Sequence, residues 1–162
     1  MVPSTAAEAC TQASPAVAKA CFARLRALVA QGYFTEGRPG DLDARFTIAE
    51  RFALDDFKGV AEAHRPYLET LTNGFAARAY DAIGDHDAAR RVDERSMKWG
   101  ALYRGANRAH VREAKRALLR KDYDTARKLA QAVIDAWGVA DVPVPNVAEM
   151  KTLIASLPPP AE

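Results

Sequence analysis

Apolar residues at Val17, Ala20, Cys21, Phe22, Leu25, Leu28 and Val29 recur at steps of three and four, the period of one helix face, and predict a helix from Pro15 to Gln31. Gly32 ends it. The run from Gly32 to Asp41 holds three glycines and a proline and reads as the longest internal loop. Helical spacing resumes at Leu42 and carries through Phe46, Ile48, Ala49, Phe52, Ala53 and Leu54 to an acidic turn at Asp55-Asp56. A shorter helix follows from Phe57 to His64. Pro66 opens the next at its first position, where proline costs no hydrogen bond, and that helix runs to Ile83 with Gly84 behind it.

Beyond Gly84 the pattern repeats. Gly84-Asp85-His86-Asp87-Ala88-Ala89-Arg90 aligns with Lys121-Asp122-Tyr123-Asp124-Thr125-Ala126-Arg127 at an offset of 37 residues. Met97-Lys98-Trp99-Gly100 corresponds in turn to Asp135-Ala136-Trp137-Gly138, with one residue inserted. Repeated helix-turn-helix units of this length are how helical solenoids are encoded, because each hairpin buries its apolar face only against its neighbours.

Ala77, Tyr80, Gly84, Asp85 and Ala89 in one unit, and Ala114, Ala117, Asp122, Tyr123 and Ala126 in the next, carry a resemblance to the tetratricopeptide repeat family. Ala117 stands where an aromatic is usual, and the 37-residue offset exceeds the family's usual 34. A third, fainter unit surrounds Asp56, Phe57 and Val60, with Pro66 interrupting its second helix. The resemblance implies a short solenoid of antiparallel helical hairpins whose first helices line a concave groove. The domain plan is a single helical domain over 1–162: N-terminal helices over 15–65, two repeat-like units over 66–138, a helix over 146–157 and a tail over 158–162. Asn146 is the expected N-cap of that last helix, whose Val147, Met150, Leu153, Ile154 and Leu157 would cover the open end of the stack.

Composition agrees with an all-α fold. Alanine fills about one position in five and charged residues 27%, outside the range of disordered or membrane chains. No apolar run approaches the roughly 18 residues of a membrane span, and Met1-Val2-Pro3-Ser4-Thr5 lacks the features of a secretory signal. The expected compartment is cytoplasmic, or periplasmic or otherwise extracytoplasmic if a signal has been trimmed. Cys10 and Cys21 are too far apart on one straight helix to pair, about 16 Å of rise. A reversal at Ser14-Pro15 after a short leading helix would allow a disulfide; otherwise both thiols are reduced and Cys21 packs in the core.

The formal charge of +2 is unevenly spread. Residues 88–128 hold thirteen Lys/Arg against five Asp/Glu, a local +8 that leaves −6 for the rest. Such polarity points to an acidic partner or to self-association of unlike faces into a homo-oligomer. Arg104, Arg108, Arg112, Arg116 and Arg120 recur every four residues and, on one helix, would form a slowly winding stripe able to grip one extended anion. Under the repeat resemblance the helix bearing them faces the groove, and Arg104, Asn107, Arg108, Arg112, Lys115 and Arg116 receive an acidic peptide or its terminal carboxylate. Some members of the family hold a peptide carboxylate with Lys, Asn and Arg side chains, and Asn107-Arg108-Ala109 is similar to one such helix. Tyr123 lies a helical turn too far downstream for that clamp.

Other chemistry is sparse. Asp85-His86-Asp87 occupies an inter-helix turn, where short polar side chains belong, and no metal is assigned to it. The sequence holds no phosphate loop, nucleophile elbow or cysteine-histidine pattern, and no cofactor is expected. Trp99 and Trp137 read as core anchors. The leading expectation is therefore a non-catalytic adaptor, scaffold or chaperone-like protein-protein interaction module for an acidic segment. Nucleic-acid binding through residues 88–128 is the alternative, and a helical-bundle enzyme assembled from Asp81, Asp85, His86 and His110 stands third.

Overall fold

A computed structural model of the chain describes residues 3–34, 38–64, 71–102, 105–140 and 142–159. Pro66, Arg104, the middle of the Gly32–Asp41 segment and the end of the tail lie outside the described residues, as does the side chain of Trp99. Among the described residues there is no strand. The elements are α1 (Pro3–Thr11), α2 (Pro15–Ala30), α3 (Pro39–Ala53), α4 (Phe57–Ala63), α5 (Leu71–Ala82), α6 (His86–Leu102), α7 (Arg108–Leu119), α8 (Tyr123–Trp137) and α9 (Pro145–Ser156). They pack as successive hairpins in two compact units, residues 1–89 and 90–162. No described helix is long and apolar enough to cross a membrane.

Proline stands at the first helical position of α2, α3 and α9. Pro15 follows Ser14 in extended backbone, φ −61° and ψ 154°, although the serine side chain makes no capping bond. Pro39 starts α3 ahead of the apolar spacing that resumes at Leu42, because its fixed φ nucleates a first turn of polar residues that hydrophobic periodicity does not register. Pro145 likewise opens α9 behind Val144, so Asn146, the expected N-cap, lies inside the helix instead.

Three turns share one construction. Asp55, Gly84 and Lys121 each take a left-handed backbone, with φ of 58°, 84° and 62°. The next residue is an aspartate in every case. Its backbone N–H returns to the preceding helix, Asp56 to Arg51 O, Asp85 to Tyr80 O and Asp122 to Ala117 O, all at 2.9 Å. Its carboxylate then caps the following helix, accepting from Gly59, Ala88 and Thr125 N–H at 2.9, 3.0 and 3.2 Å. The two-fold sequence repeat thus extends, at its turn, to the fainter unit at Asp56.

In the first unit α2 and α3 bury Phe22, Leu25, Leu42, Phe46 and Ala49, with α1 adding Ala7 and Cys10. A second cluster, Ile48, Val60 and Ala79, joins α3, α4 and α5 beneath Phe52, Phe57 and Phe75. Cys10 and Cys21 form a disulfide, with Cα atoms 5.7 Å apart. The chain reversal at Ser14-Pro15 makes it accessible, and the reading of two reduced thiols does not hold. In the second unit α8 packs between α7 and α9 around Ala114, Ala117, Ala126, Ala130, Val133, Met150 and Leu153, with Trp137 packed against them.

Candidate functional site

α7 begins where Asn107 leaves extended backbone, φ −129° and ψ 179°. Asn107 Oδ1 accepts from Ala109 N–H at 2.9 Å, and the Asn107 N–H donates back to His110 Nδ1 at 3.1 Å, a reciprocal cap. Asn107 Nδ2 also donates to Ser96 O at 2.7 Å, which ties the start of α7 to α6. Burial holds the His110 imidazole below its ordinary range, against the raising effects of its Asn107 contact and the Asp93 charge. The neutral ring is also the form whose Nδ1 can accept the Asn107 N–H.

Arg112 and Arg116 of α7, and Arg120 at its C-cap, already grip carboxylates of their own chain. Asp93, on α6, is fully buried. Arg112 donates to it twice, Nε to Oδ2 at 2.9 Å and Nη2 to Oδ1 at 2.5 Å, and Arg116 Nη2 donates to Oδ2 at 2.5 Å. Arg116 Nη1 and Arg120 Nη2 share Glu113, at 2.6 and 2.7 Å. These are charge-assisted contacts of the strong kind, and all the charges are provided with partners inside the unit. Lys115 Nζ pairs with Glu149 of α9.

The predicted six residues therefore separate. Of the twelve positions of α7 only Arg108, Lys115 and Leu119 are exposed. With Arg112 they fall at steps of four, three and four, a single line along the helix, about 17 Å long at helical rise. The structure thus places Arg108 and Lys115 on the exposed side of α7, with half-buried Arg112 between them reaching in to Asp93. Arg116 is 4% exposed and turned inward to Asp93 and Glu113. Asn107 serves as the cap, and Arg104 lies outside the described residues. The continuous five-arginine stripe does not exist on one helix, because Asn107 starts α7 anew and Arg120 is its C-cap. Asp93 escaped the sequence reading; its one signal is an acidic residue among the apolar-face positions Ala89, Val92 and Ser96 of α6, opposite arginines four residues apart.

A second cationic line runs along α6, where Arg91, Arg95 and Lys98 are exposed at steps of four and three. The residues considered for catalysis hold structural places. His86 Nδ1 meets Asp81 Oδ1 at 3.0 Å on an exposed turn, Asp85 caps α6, and His110 caps α7 in the other unit. Among the described residues no group of three or more potential metal ligands is gathered. No protein-family profile matches the chain, and no characterised protein or solved structure matches it either.

Proposed function

We propose that the chain is a non-catalytic protein-protein interaction module, built of tetratricopeptide-like hairpins with α9 as their closing cap, that receives an acidic protein segment along the open line of α7. The observation that carries this reading is the composition of that line. α7 leaves Arg108, Lys115 and Leu119 exposed, with half-buried Arg112 between them, and so presents to solvent a line of cations, two of which already hold Asp93 and Glu149, followed by one apolar contact. The Asp93 fork supplies an internal example of how guanidinium groups of α7 take a carboxylate. Arg91, Arg95 and Lys98 add a field that steers an acidic partner toward the unit. The three matching turns support the repeat reading. The Cys10–Cys21 bond supports an oxidising compartment, periplasmic or extracytoplasmic, rather than the cytoplasm.

Fluorescence anisotropy tests the reading with three labelled probes: an Asp/Glu-rich peptide of a dozen residues, a Gly/Ser peptide of the same length and a single-stranded oligodeoxynucleotide. The acidic peptide binds the wild type, and the Arg108→Ala/Lys115→Ala double variant weakens it about tenfold, as expected for two exposed charges. Equal binding by both proteins overturns the assignment of α7. The alternative, nucleic-acid binding through residues 88–128, is favoured by the α6 line, and oligonucleotide binding that falls steeply with salt would move the function there.

A further inference from the structure

The first unit holds a cation that its own carboxylates leave unanswered, a feature independent of the acidic-segment reading of α7. Arg45 stands midway along α3. The residues three before it, three after it and four after it, Leu42, Ile48 and Ala49, are all buried, so Arg45 leaves α3 from its inward face. Leu42 and Ala49 belong to the cluster shared with α1 and α2, and Ile48 to the one shared with α4 and α5. Arg45 lies between the two. Its Nε is buried, and among the described residues no acceptor meets it and no carboxylate pairs with its guanidinium. The acids nearest along α3 are committed elsewhere: Asp41, one turn earlier, is held by Arg38, and Asp43 and Glu50 by Arg26. Arg127 makes the contrast. Its Nε is likewise without an acceptor, but its Nη2 donates to Pro158 O.

A guanidinium set among apolar side chains without a counter-charge lowers stability, where an apolar residue of the same length would not. An anion arriving from outside removes that cost. We propose that Arg45 anchors a binding site for a small monocarboxylate with an apolar body. A carboxylate matches the guanidinium fork with two parallel N–H···O bonds, one from an Nη and one from the Nε that now lacks an acceptor. The charge balance selects a monoanion. One arginine neutralises one negative charge, whereas a phosphate dianion would bring an unmatched charge, and its hydration, against the apolar neighbours. The body of the ligand finds apolar surface at Phe52, two turns on along the same line of α3 and only half-buried. Arg45 is itself half-buried, not enclosed, which gives the ligand access from solvent.

Nitrogen-15 NMR of the arginine Nε–H groups in the full chain tests this, with the Arg45 resonance assigned by its loss in Arg45→Met. The probes are benzoate, benzamide, which has the same shape without the charge, and inorganic phosphate. Benzoate is expected to move the Arg45 Nε–H resonance and to saturate on the order of 1 mM. Benzamide and phosphate need concentrations at least about tenfold higher. Arg45→Met keeps the helical circular-dichroism spectrum and melts at the wild-type temperature or above it, because the uncompensated cation is gone. It also loses the rise in melting temperature that benzoate gives the wild type. A resonance that no probe moves overturns the site. Equal response to benzamide overturns the role of the charge, and equal response to phosphate overturns the assignment to monocarboxylates. Arg45→Met melting well below wild type overturns the proposal too, since the fold itself would then depend on the cation.

Discussion

Asp93 and Arg116, 23 residues apart in the chain, meet at 2.5 Å, with Asp93 fully buried and Arg116 nearly so. The pair fastens α6 to α7. Removing Arg116 leaves buried Asp93 to Arg112 alone and buried Glu113 to Arg120 alone, so two desolvated carboxylates each lose a charged donor. Arg116→Ala therefore lowers unfolding free energy by about 3–5 kcal/mol. The Asp93→Leu/Arg116→Met double variant loses less than the two single changes added together, because the bond between them is already gone in either single change and is counted only once in the double. Urea unfolding followed by circular dichroism measures both. Additive losses would mean that the two residues do not act as a pair.

Lys121 holds a left-handed φ of 62° in the position that Gly84 fills one repeat earlier. A side chain in that region crowds its own backbone by roughly 1–2 kcal/mol, from which the extra flexibility of unfolded glycine subtracts. Lys121→Gly is expected to stabilise by about 0.5–1 kcal/mol. Gly84→Ala destabilises by about 1 kcal/mol although nothing lies within 4 Å of the added methyl, so its cost is conformational alone. Asp55, at the third such turn, changes less on replacement by glycine because aspartate tolerates the left-handed region. Thermal midpoints of the three variants give the order directly.

These turns were legible in the sequence because each is spelled by contiguous residues. The amphipathic faces of α2 and α3 were legible for a similar reason: Phe22 with Leu25, and Leu42 with Phe46 and Ala49, repeat at the helical period where the helices pack, although Val17 and Ala20, read on the same face of α2, are exposed. The α1 helix was open only as the short leading segment that a disulfide would require, since Ala7 and Cys10 make too weak an apolar pattern to declare a face. Within the candidate site, the sequence reading set Arg108, Arg112, Lys115 and Arg116 on one face, whereas Arg108 and Lys115 are exposed, Arg112 is half-buried and Arg116 is buried. Four-residue spacing places side chains near one another without saying which side of the helix a neighbour will occupy. The partner that decides this for Arg116, Asp93, is remote in sequence, and an ion pair between helices leaves no periodic trace. Asn107 was ambiguous for a related reason: asparagine serves equally as a polar ligand and as a cap, and only the bond to Ala109 N–H distinguishes them.

His110 makes stability depend on pH in a predictable direction. Burial lowers its folded-state pKa below the ordinary value of 6.5, so the unfolded chain binds the proton more readily than the folded one. Its contribution is fully present above that ordinary value. It is lost progressively as pH falls from there through the folded value, where protonation also removes the acceptor for the Asn107 N–H. Urea midpoints at pH 7.5, 6.5 and 5.5 should decline for the wild type. His110→Gln retains an acceptor at the capping position and does not titrate, so its decline over the same interval is shallower. Identical slopes would assign the pH dependence to other groups.

Ala117 and Tyr80 occupy equivalent positions 37 residues apart and meet opposite requirements. The Tyr80 hydroxyl donates to Ala61 O at 3.3 Å and its ring stands edge-on to His64 at 6.2 Å, so that position spans the gap from α5 to α4. Ala117 has no such gap to fill. It is completely buried, as are Ala114 on the same helix and Ala126 and Ala130 on α8, and methyl-sized contacts let the two helix backbones approach closely. Introducing an aromatic by Ala117→Phe forces α7 and α8 apart and is expected to destabilise by about 1–3 kcal/mol or more. Ala136→Phe, on an exposed position of α8, stays within about 0.5 kcal/mol of wild type and controls for the added apolar surface. Should urea midpoints show Ala117→Phe to be neutral, the alanine contact would have room for a ring, and close backbone approach would not be what holds α7 to α8.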